Sequence, residues 1–301
     1  MGCSSCNKHN LIMELNNEMK QEKLEKFKRE SHFLIFKEEK IIEDDLNELT
    51  KIYPQMKNEI EVEKKGPIIN EKDNTIYYGE WDINKNKEHG KGIKFWQEGA
   101  IYIGYWQNGL ACGKGKLYHP DGDIYEGDWL NDKPNGYGKY IHIDGTIYEG
   151  EWKDDKQNGK GKEIWADGSL YEGEYANGER NGKGKFCWSD GSTYDGNFTN
   201  NNINGEGTYI FVDKRKYIGS WINNKFNGKG VFIWPDGRKY EGEYKDDKKD
   251  GFGIFEWPNG KKFRGLWKNG KQNGEGELYT PFDQKWKKGI WKEGERIKWI
   301  E

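Results

Sequence analysis

The chain is poor in aliphatic residues. Hydrophobic residues of every kind make up only 33 % of its 301 positions, and aromatics alone account for 15 %. So little aliphatic material argues against the single thick core of a compact enzyme. Long apolar runs are missing too. None approaches the ~18 residues that a transmembrane helix needs, and no stretch reads as a secretory h-region. Cysteine is scarce: Cys3, Cys6, Cys112 and Cys187 are the full set. They make no disulfide framework, so a reducing cytosolic compartment is expected. Nor does one charge dominate. Charged residues reach 34 %, yet the net charge is −3, which gives no general pull toward nucleic acid or an anionic membrane.

What the chain has instead is glycine and rings. Gly fills 41 of 301 positions, about twice its usual share. The two residue classes recur together. Tyr77, Tyr102, Tyr125, Tyr148, Tyr171, Tyr194, Tyr217, Tyr240 and Phe263 stand 25 residues apart once, then 23 apart seven times. Each opens an aromatic-x-Gly-x-aromatic stretch, and each is followed by a Gly-x-Gly pair such as Gly159/Gly161. A fixed period of this size is the signature of a repeat array.

One copy can be read physically. In "YEGEW", Tyr148, Gly150 and Trp152 alternate with Glu149 and Glu151. Period two predicts a strand with rings on one face and carboxylates in water on the other. The segment "KDDKQN" reads as a polar loop, after which Gly159 and Gly161 open a second strand. More rings stand two and four residues past the second Gly, as at Phe186 and Trp188. Asp-Gly and Asn-Gly then mark a hairpin turn into the next copy, because they tolerate positive φ. Each copy is therefore predicted to be two antiparallel strands. A lone hairpin cannot bury its own rings, so copies must stack edge to edge. Gly lets a ring lie over bare backbone, and Trp152 is expected over a glycine of a neighbouring copy. The expected fold is mainly β: an elongated single-layer antiparallel sheet of stacked hairpins, with an N-terminal α-helical segment.

Tyr-x-Gly-x-Trp followed by Gly-x-Gly at this spacing resembles the MORN repeat (membrane occupation and recognition nexus). The resemblance covers nine copies over 77–279. "WKKGIWKEGERIKW" from Trp286 resembles a degenerate tenth, one residue out of register, and reads as a cap over 280–301. Similar arrays serve as scaffolds in junctional membrane proteins, ciliary radial spokes and cell-cortex structures. They are also appended to lipid kinases and a lysine methyltransferase. The resemblance implies protein partners, and it suggests phosphoinositide binding, although no concentrated Lys/Arg patch is present.

The rest of the chain differs. Residues 10–65 carry apolar positions at helical spacing, including Ile41, Ile42, Leu46, Leu49, Ile52, Tyr53, Met56 and Ile60. Pro54 should kink or end that helix, and 66–76 read as a linker. Residues 1–9 form a tail that opens "MGCSSC". Gly2, Cys3 and Cys6 resemble the sites of myristoylated and palmitoylated tails, although Cys6 stands where the usual pattern has Ser or Thr. A single myristoyl chain binds membrane only marginally, so a second acyl group would be needed. Residues 7–40 hold eight Lys/Arg against seven Glu, so no polybasic patch replaces it.

Candidate chemistry is thin. "NGKGK" at Asn158 and Asn181 fits no G-x-G-x-x-G or Walker pattern. Cys3 and Cys6 are spaced like half a zinc site without the other half. His119 and His142 occupy repeat positions where other copies place Trp. No nucleophile comes with a base and an orienting group, so no enzyme, metal or cofactor is expected.

One row exceeds what the fold needs. The position three past each Gly pair holds Phe95, Tyr118, Ile141, Ile164, Cys187, Ile210, Ile233 and Tyr279, with Glu256 as the exception. These should face away from the rings. Apolar residues on both faces of one layer call for a second cover, either a helix in a groove or burial through twist of the array. The helix would come from residues 10–65, which could reach Phe95, Tyr118 and Ile141, or from a partner. The chain thus reads as a non-catalytic scaffold holding partner proteins at a cytosolic membrane face through a lipidated N-terminus. A cytoskeletal or ciliary structural subunit, and a targeting module for a lipid-modifying enzyme, are the alternatives.

Overall fold

The computed structural model describes residues 62–70 and 72–300. They fall into two compact units, divided between Ile143 and Asp144. The first holds β1 (Val62–Asn70), β2 (Thr75–Asp82), β3 (Lys87–Phe95), β4 (Ile101–Gln107), β5 (Leu110–Tyr118), β6 (Ile124–Leu130) and β7 (Lys133–Ile141). The second begins with β8 (Ile147–Lys153), β9 (Lys156–Ile164), β10 (Leu170–Ala176), β11 (Glu179–Cys187), β12 (Thr193–Thr199), β13 (Asn202–Ile210) and β14 (Lys216–Ile222). It continues with β15 (Lys225–Ile233), β16 (Lys239–Lys245), β17 (Lys248–Glu256), β18 (Lys262–Lys268), β19 (Lys271–Thr280), β20 (Lys285–Lys292) and β21 (Glu295–Trp299). Within each unit every strand pairs antiparallel with the next. The described residues contain no helix. The expected helical segment therefore lies outside them, apart from its end, which is strand.

The repeat supplies its own core. The first ring of each copy is buried almost completely, Tyr125 and Tyr194 at 0 % exposure. Gly150 and Gly161 are cross-strand partners, and the Tyr148 ring lies over both, where a Cβ on either would overlap its hydroxyl. The first glycine of the Gly-x-Gly pair has another task. The β8–β9 register shifts between Gly150 and Trp152, and Gly159 absorbs that bulge at φ 87°, a left-handed conformation that costs Gly nothing.

The turns exchange the roles assigned to them from sequence. "KDDKQN" is no loop: β9 starts at Lys156. Asp154 and Asp155, at φ 48° and 66°, form a two-residue turn of the type I′ kind, whose twist matches the flanking strands. The Asp-Gly segments close wider connections. In one, the Trp165 amide donates to the Ser169 carbonyl at 2.9 Å and Gly168 N–H returns to the Trp165 carbonyl at 2.9 Å.

Two boundaries also change. Residues 62–70, read as helix end and linker, form β1 and pair with β2 from Val62↔Asp82 to Asn70↔Thr75. Among the described residues β1 pairs with β2 alone, and it carries no ring–Gly signature. At the other end, β20 stays in register: Gly289 faces Gly276 and Trp291 faces Gly274. Lys287, opposite Leu278, takes the place of the missing ring, and the apparent slip is one extra residue in the connecting turn.

Candidate functional site

The two faces of the sheet carry different chemistry. On the ring face, the hydroxyl of a copy's first tyrosine donates to the carbonyl three residues on, Tyr148 to Glu151 and Tyr171 to Glu174, both at 3.0 Å. Burial pushes the Tyr171 hydroxyl up to about 12, with Arg180 opposing the rise and Glu174 adding to it, so it remains a donor at any physiological pH. The second ring of a copy reaches back to the preceding copy. Trp129 Nε1 donates to the Gly115 carbonyl at 3.0 Å and Trp267 Nε1 to that of Gly253 at 3.2 Å. Trp129 also meets the Tyr102 ring edge-on at 5.0 Å, a favoured aromatic geometry. The first ring thus covers its own copy's glycines, and the second ring locks one copy to the one before.

Farther along the same face, the second unit carries a zigzag of rings. Trp165 stacks on Phe186 at 5.1 Å, Phe186 meets Trp188 at 4.5 Å, and Trp188 meets Tyr209 at 5.2 Å. The series continues through Phe211, Phe232, Trp234 and Phe255 to Trp257. Phe186, Phe232 and Phe255 are buried, whereas Trp165, Trp188, Phe211, Trp234 and Trp257 are partly exposed. Cations lie against these rings: Arg180 over Trp165 and Phe186, Arg215 over Phe211, Arg238 over Trp234, and Lys261 over Trp257. Lys249 sits among Trp234, Tyr240, Phe255 and Trp267 at 4.5–5.3 Å. The sequence showed these rings but gave no sign that their outer members stay open.

The opposite face holds the expected row, and it is wider than expected. In the first unit Phe95 pairs with Ile76 and Ile101, Tyr118 with Ile101 and Ile124, and Ile141 with Ile124. In the second unit the cross-strand order runs Ile147, Ile164, Leu170, Cys187, Thr193, Ile210. Half of each stripe comes from residues just before the tyrosines, which the reading from the Gly pairs passed over. Ile164 is 38 % exposed. Beyond Ile210 the stripe breaks up. Ile233 lies between Lys216 and Lys239, and Glu256 between Lys239 and Lys262. Tyr279 returns to an aromatic partner, Trp286 at 5.5 Å. Beside the stripe runs a ladder of alternating charge: Glu149 faces Lys162, which faces Glu172, which faces Lys185, which faces Asp195. Opposite charges directly across strands stabilise such a ladder by roughly 0.2–1 kcal/mol each.

In the first unit, His142 and Asp123 form a polar cluster. Asp123 receives the Tyr140 hydroxyl at 2.8 Å and the Ile143 amide at 2.9 Å, with His142 Nδ1 3.0 Å away. Desolvation would raise the Asp123 carboxyl, but the Ile143 amide, the Tyr140 hydroxyl and His142 outweigh it and hold it below its ordinary value. The described residues contain no group of three or more His, Cys, Asp or Glu side chains able to hold a metal. Gly2, Cys3 and Cys6 lie outside the described residues.

The profile of the family described as MORN repeat matches nine consecutive segments: 77–101, 102–124, 125–147, 148–170, 171–193, 194–214, 217–237, 240–262 and 263–281. No curated protein matches the chain. Among solved structures, the TCP10 domain of Danio rerio CPAP in complex with a peptide of Danio rerio STIL is similar at TM-score 0.43 and 12 % identity, over 70 % of this chain and 94 % of that one. The SAS-4 (dCPAP) TCP domain of Drosophila melanogaster, in complex with a proline-rich motif of Ana2, follows at TM-score 0.34 and 15 % identity, over 52 % and 85 %.

Proposed function

The chain belongs to the MORN-repeat family, and from that premise we propose that it is a non-catalytic scaffold holding partner proteins at the cytosolic face of a membrane. The observation that carries the reading is the stripe from Ile147 to Ile210. The first rings are committed to packing over glycine on one face, and a part-exposed row of Ile147, Ile164, Leu170, Cys187, Thr193 and Ile210 stands on the other. Such a row is costly to leave in water and gains when covered, at about 25 cal/mol per Å². Its six strands span about 24 Å at ~4.8 Å per strand, the length of a helix of ~16 residues. A stripe of small and aliphatic side chains demands no residue-by-residue register, which suits a helix. The flanking Glu/Lys ladder would select the partner's charges more than it would add affinity. Gly2, Cys3 and Cys6 would supply the tether by myristoylation and palmitoylation, two acyl signals giving stable attachment where one does not.

Affinity capture and membrane fractionation test the two halves separately. Ile164→Asp with Ile210→Asp should keep the fold, because both side chains face away from the ring stack, and should lose the partner. Gly2→Ala should move the protein from membrane to soluble fractions. Undiminished partner recovery by the folded double variant refutes the stripe, and a Gly2→Ala form that stays in the pellet refutes the acyl tether. Retention with detergent-insoluble cytoskeleton would favour a structural subunit instead.

A further inference from the structure

The first unit is closed to water at positions where the second is open. Tyr105 and Leu266 hold the same place in their copies, between a glycine and the second ring, yet Tyr105 is 3 % exposed and Leu266 46 %. Ile93 and Ile254 each follow a Gly-x-Gly pair. Ile93 is 2 % exposed, whereas Ile254 is partly open. Asp82 and Ile222 each follow a second ring, and they are 1 % and 50 % exposed.

Neighbours within the sheet do not account for the difference. Ile93 stands between Tyr78 and Ile103, and Tyr105 between Lys91 and Cys112. The Lys91 amine lies 5.8 Å from the centre of the Tyr105 ring and shades one side of it. Side chains in one layer screen each other's flanks and leave their tips to solvent, as on any antiparallel sheet with one face uncovered. Among the described residues this unit is a single layer. Its closed face therefore has a cover that those residues do not supply.

The same face has given up the charge ladder. Where the second unit places Glu149, Lys162 and Glu172 across three strands, the first places Tyr78, Ile93 and Ile103. Phe95 meets Tyr78 edge-on at 6.1 Å. The charges that remain nearly balance. Lys64 faces Glu80, Lys114 faces Asp128 and Lys116 faces Glu126, with Lys91 beside Tyr105. The cover is thus selected by apolar fit, not by charge.

The closed residues lead back to the point where the chain enters the sheet. Val62 opens β1 opposite Asp82 on β2; Ile93 follows on β3 and Tyr105 on β4. Residues 1–61 precede Val62 and lie outside the described residues. They include the apolar series Ile41, Leu46, Leu49, Ile52, Met56 and Ile60. At helical spacing, the 16 residues from Glu38 to Tyr53 would span about 24 Å. The distance from β1 to β5 is about 19 Å at ~4.8 Å per strand. Attachment to β1 also gives this segment an effective concentration in the millimolar range, an advantage that a separate chain lacks.

We propose that the apolar positions of residues 41–60 dock in cis on the face of the first unit formed by Tyr78, Ile93, Ile103 and Tyr105. The docked segment belongs to the fold of the first unit and leaves the stripe of the second as the face for other proteins. The inference stands apart from the scaffold reading and does not rest on it.

A cysteine reporter in the full chain tests it. Ile93→Cys places a thiol under the cover, and alkylation by iodoacetamide is followed by peptide mass spectrometry. The new thiol should react at least tenfold more slowly than the partly exposed Cys187 of the same molecule, at every protein concentration. Adding Leu49→Asp with Ile52→Asp should speed it at least tenfold and leave Cys187 unchanged. Tyr105→Cys is a second reporter, with the same expectation, should Ile93→Cys disturb the sheet. The proposal is overturned if both reporters react as fast as Cys187 in the chain with its natural N-terminal segment. It is overturned equally if the aspartates leave the protection intact, or if protection grows with protein concentration, which would make the cover a second copy. Neither Gly2 nor the Ile147–Ile210 stripe is altered in these variants, so failure here is separable from failure of the scaffold reading.

Discussion

The hydroxyl end of Tyr194 lies over Gly207, the cross-strand partner of Gly196, so that a Cβ at Gly207 would overlap the ring. Gly196 and Gly207 face one another in the ladder, and Tyr194 is closed off from water by the pair, at 0 % exposure. The same relation holds at Tyr148 over Gly161 and Tyr217 over Gly230. The repeat motif is therefore a packing unit: one ring and the two bare backbones beneath it.

That unit predicts an ordering of substitutions. Gly207→Ala should destabilise by about 1–3 kcal/mol, the usual cost of forcing extra volume into a filled site. Tyr194→Phe should cost less, about 0.5–1.5 kcal/mol, because it removes only the hydroxyl bond to Asn197, 3.1 Å long. The last copy already carries Phe263 there, fully buried over Gly265 and Gly276. Damage in a linear array is local, so urea melts of Gly207→Ala should show an early partial transition. A larger loss for Tyr194→Phe than for Gly207→Ala would contradict the packing unit.

The buried amine of Lys249 predicts a pH effect of definite sign. Burial among its rings, and then the Arg238 guanidinium, bring Lys249 down from 10.5 to about 8. Between those values the unfolded chain holds the proton more fully than the native one, so stability rises with pH across that window. Below about 8 the penalty of burying the ammonium is present in full. Lys249→Met keeps the packing without the charge. Its melting temperature should exceed that of the natural chain by most at pH 7, with the gap shrinking toward pH 10. A gap independent of pH would mean that Lys249 is charged and solvated throughout.

Period and ring–Gly alternation made most of the fold legible in the sequence, because both follow from one short-range constraint repeated nine times. The misreadings came where that constraint is silent. Asp154 and Asp155 look like solvated acids until their positive φ is seen, and Gly168 resembled a tight turn while closing a wider one. β1 carries no ring–Gly signal, so nothing in the repeat pattern pointed to it. The row from Ile164 to Ile210 was legible from alternation, but its partners Ile147 and Leu170 were hidden by counting from the glycines alone. The openness of Trp188 and Phe211, against the burial of Phe186 and Phe232, goes with their place in the strand connections and has no counterpart in residue type.

Cys187 offers the most direct measurement of the scaffold reading. It lies in the aliphatic stripe, opposite Leu170 on one side and Thr193 on the other, and its thiol is partly exposed. Alkylation of Cys187 by iodoacetamide, followed by mass spectrometry, reports directly on whether the stripe is covered. In the free protein the reaction should run to completion. In the affinity-purified complex Cys187 should react at least tenfold more slowly, while Cys112 in the first unit, also partly exposed, keeps its rate. A complex in which Cys187 is alkylated as fast as in the free protein would contradict a partner seated on that face.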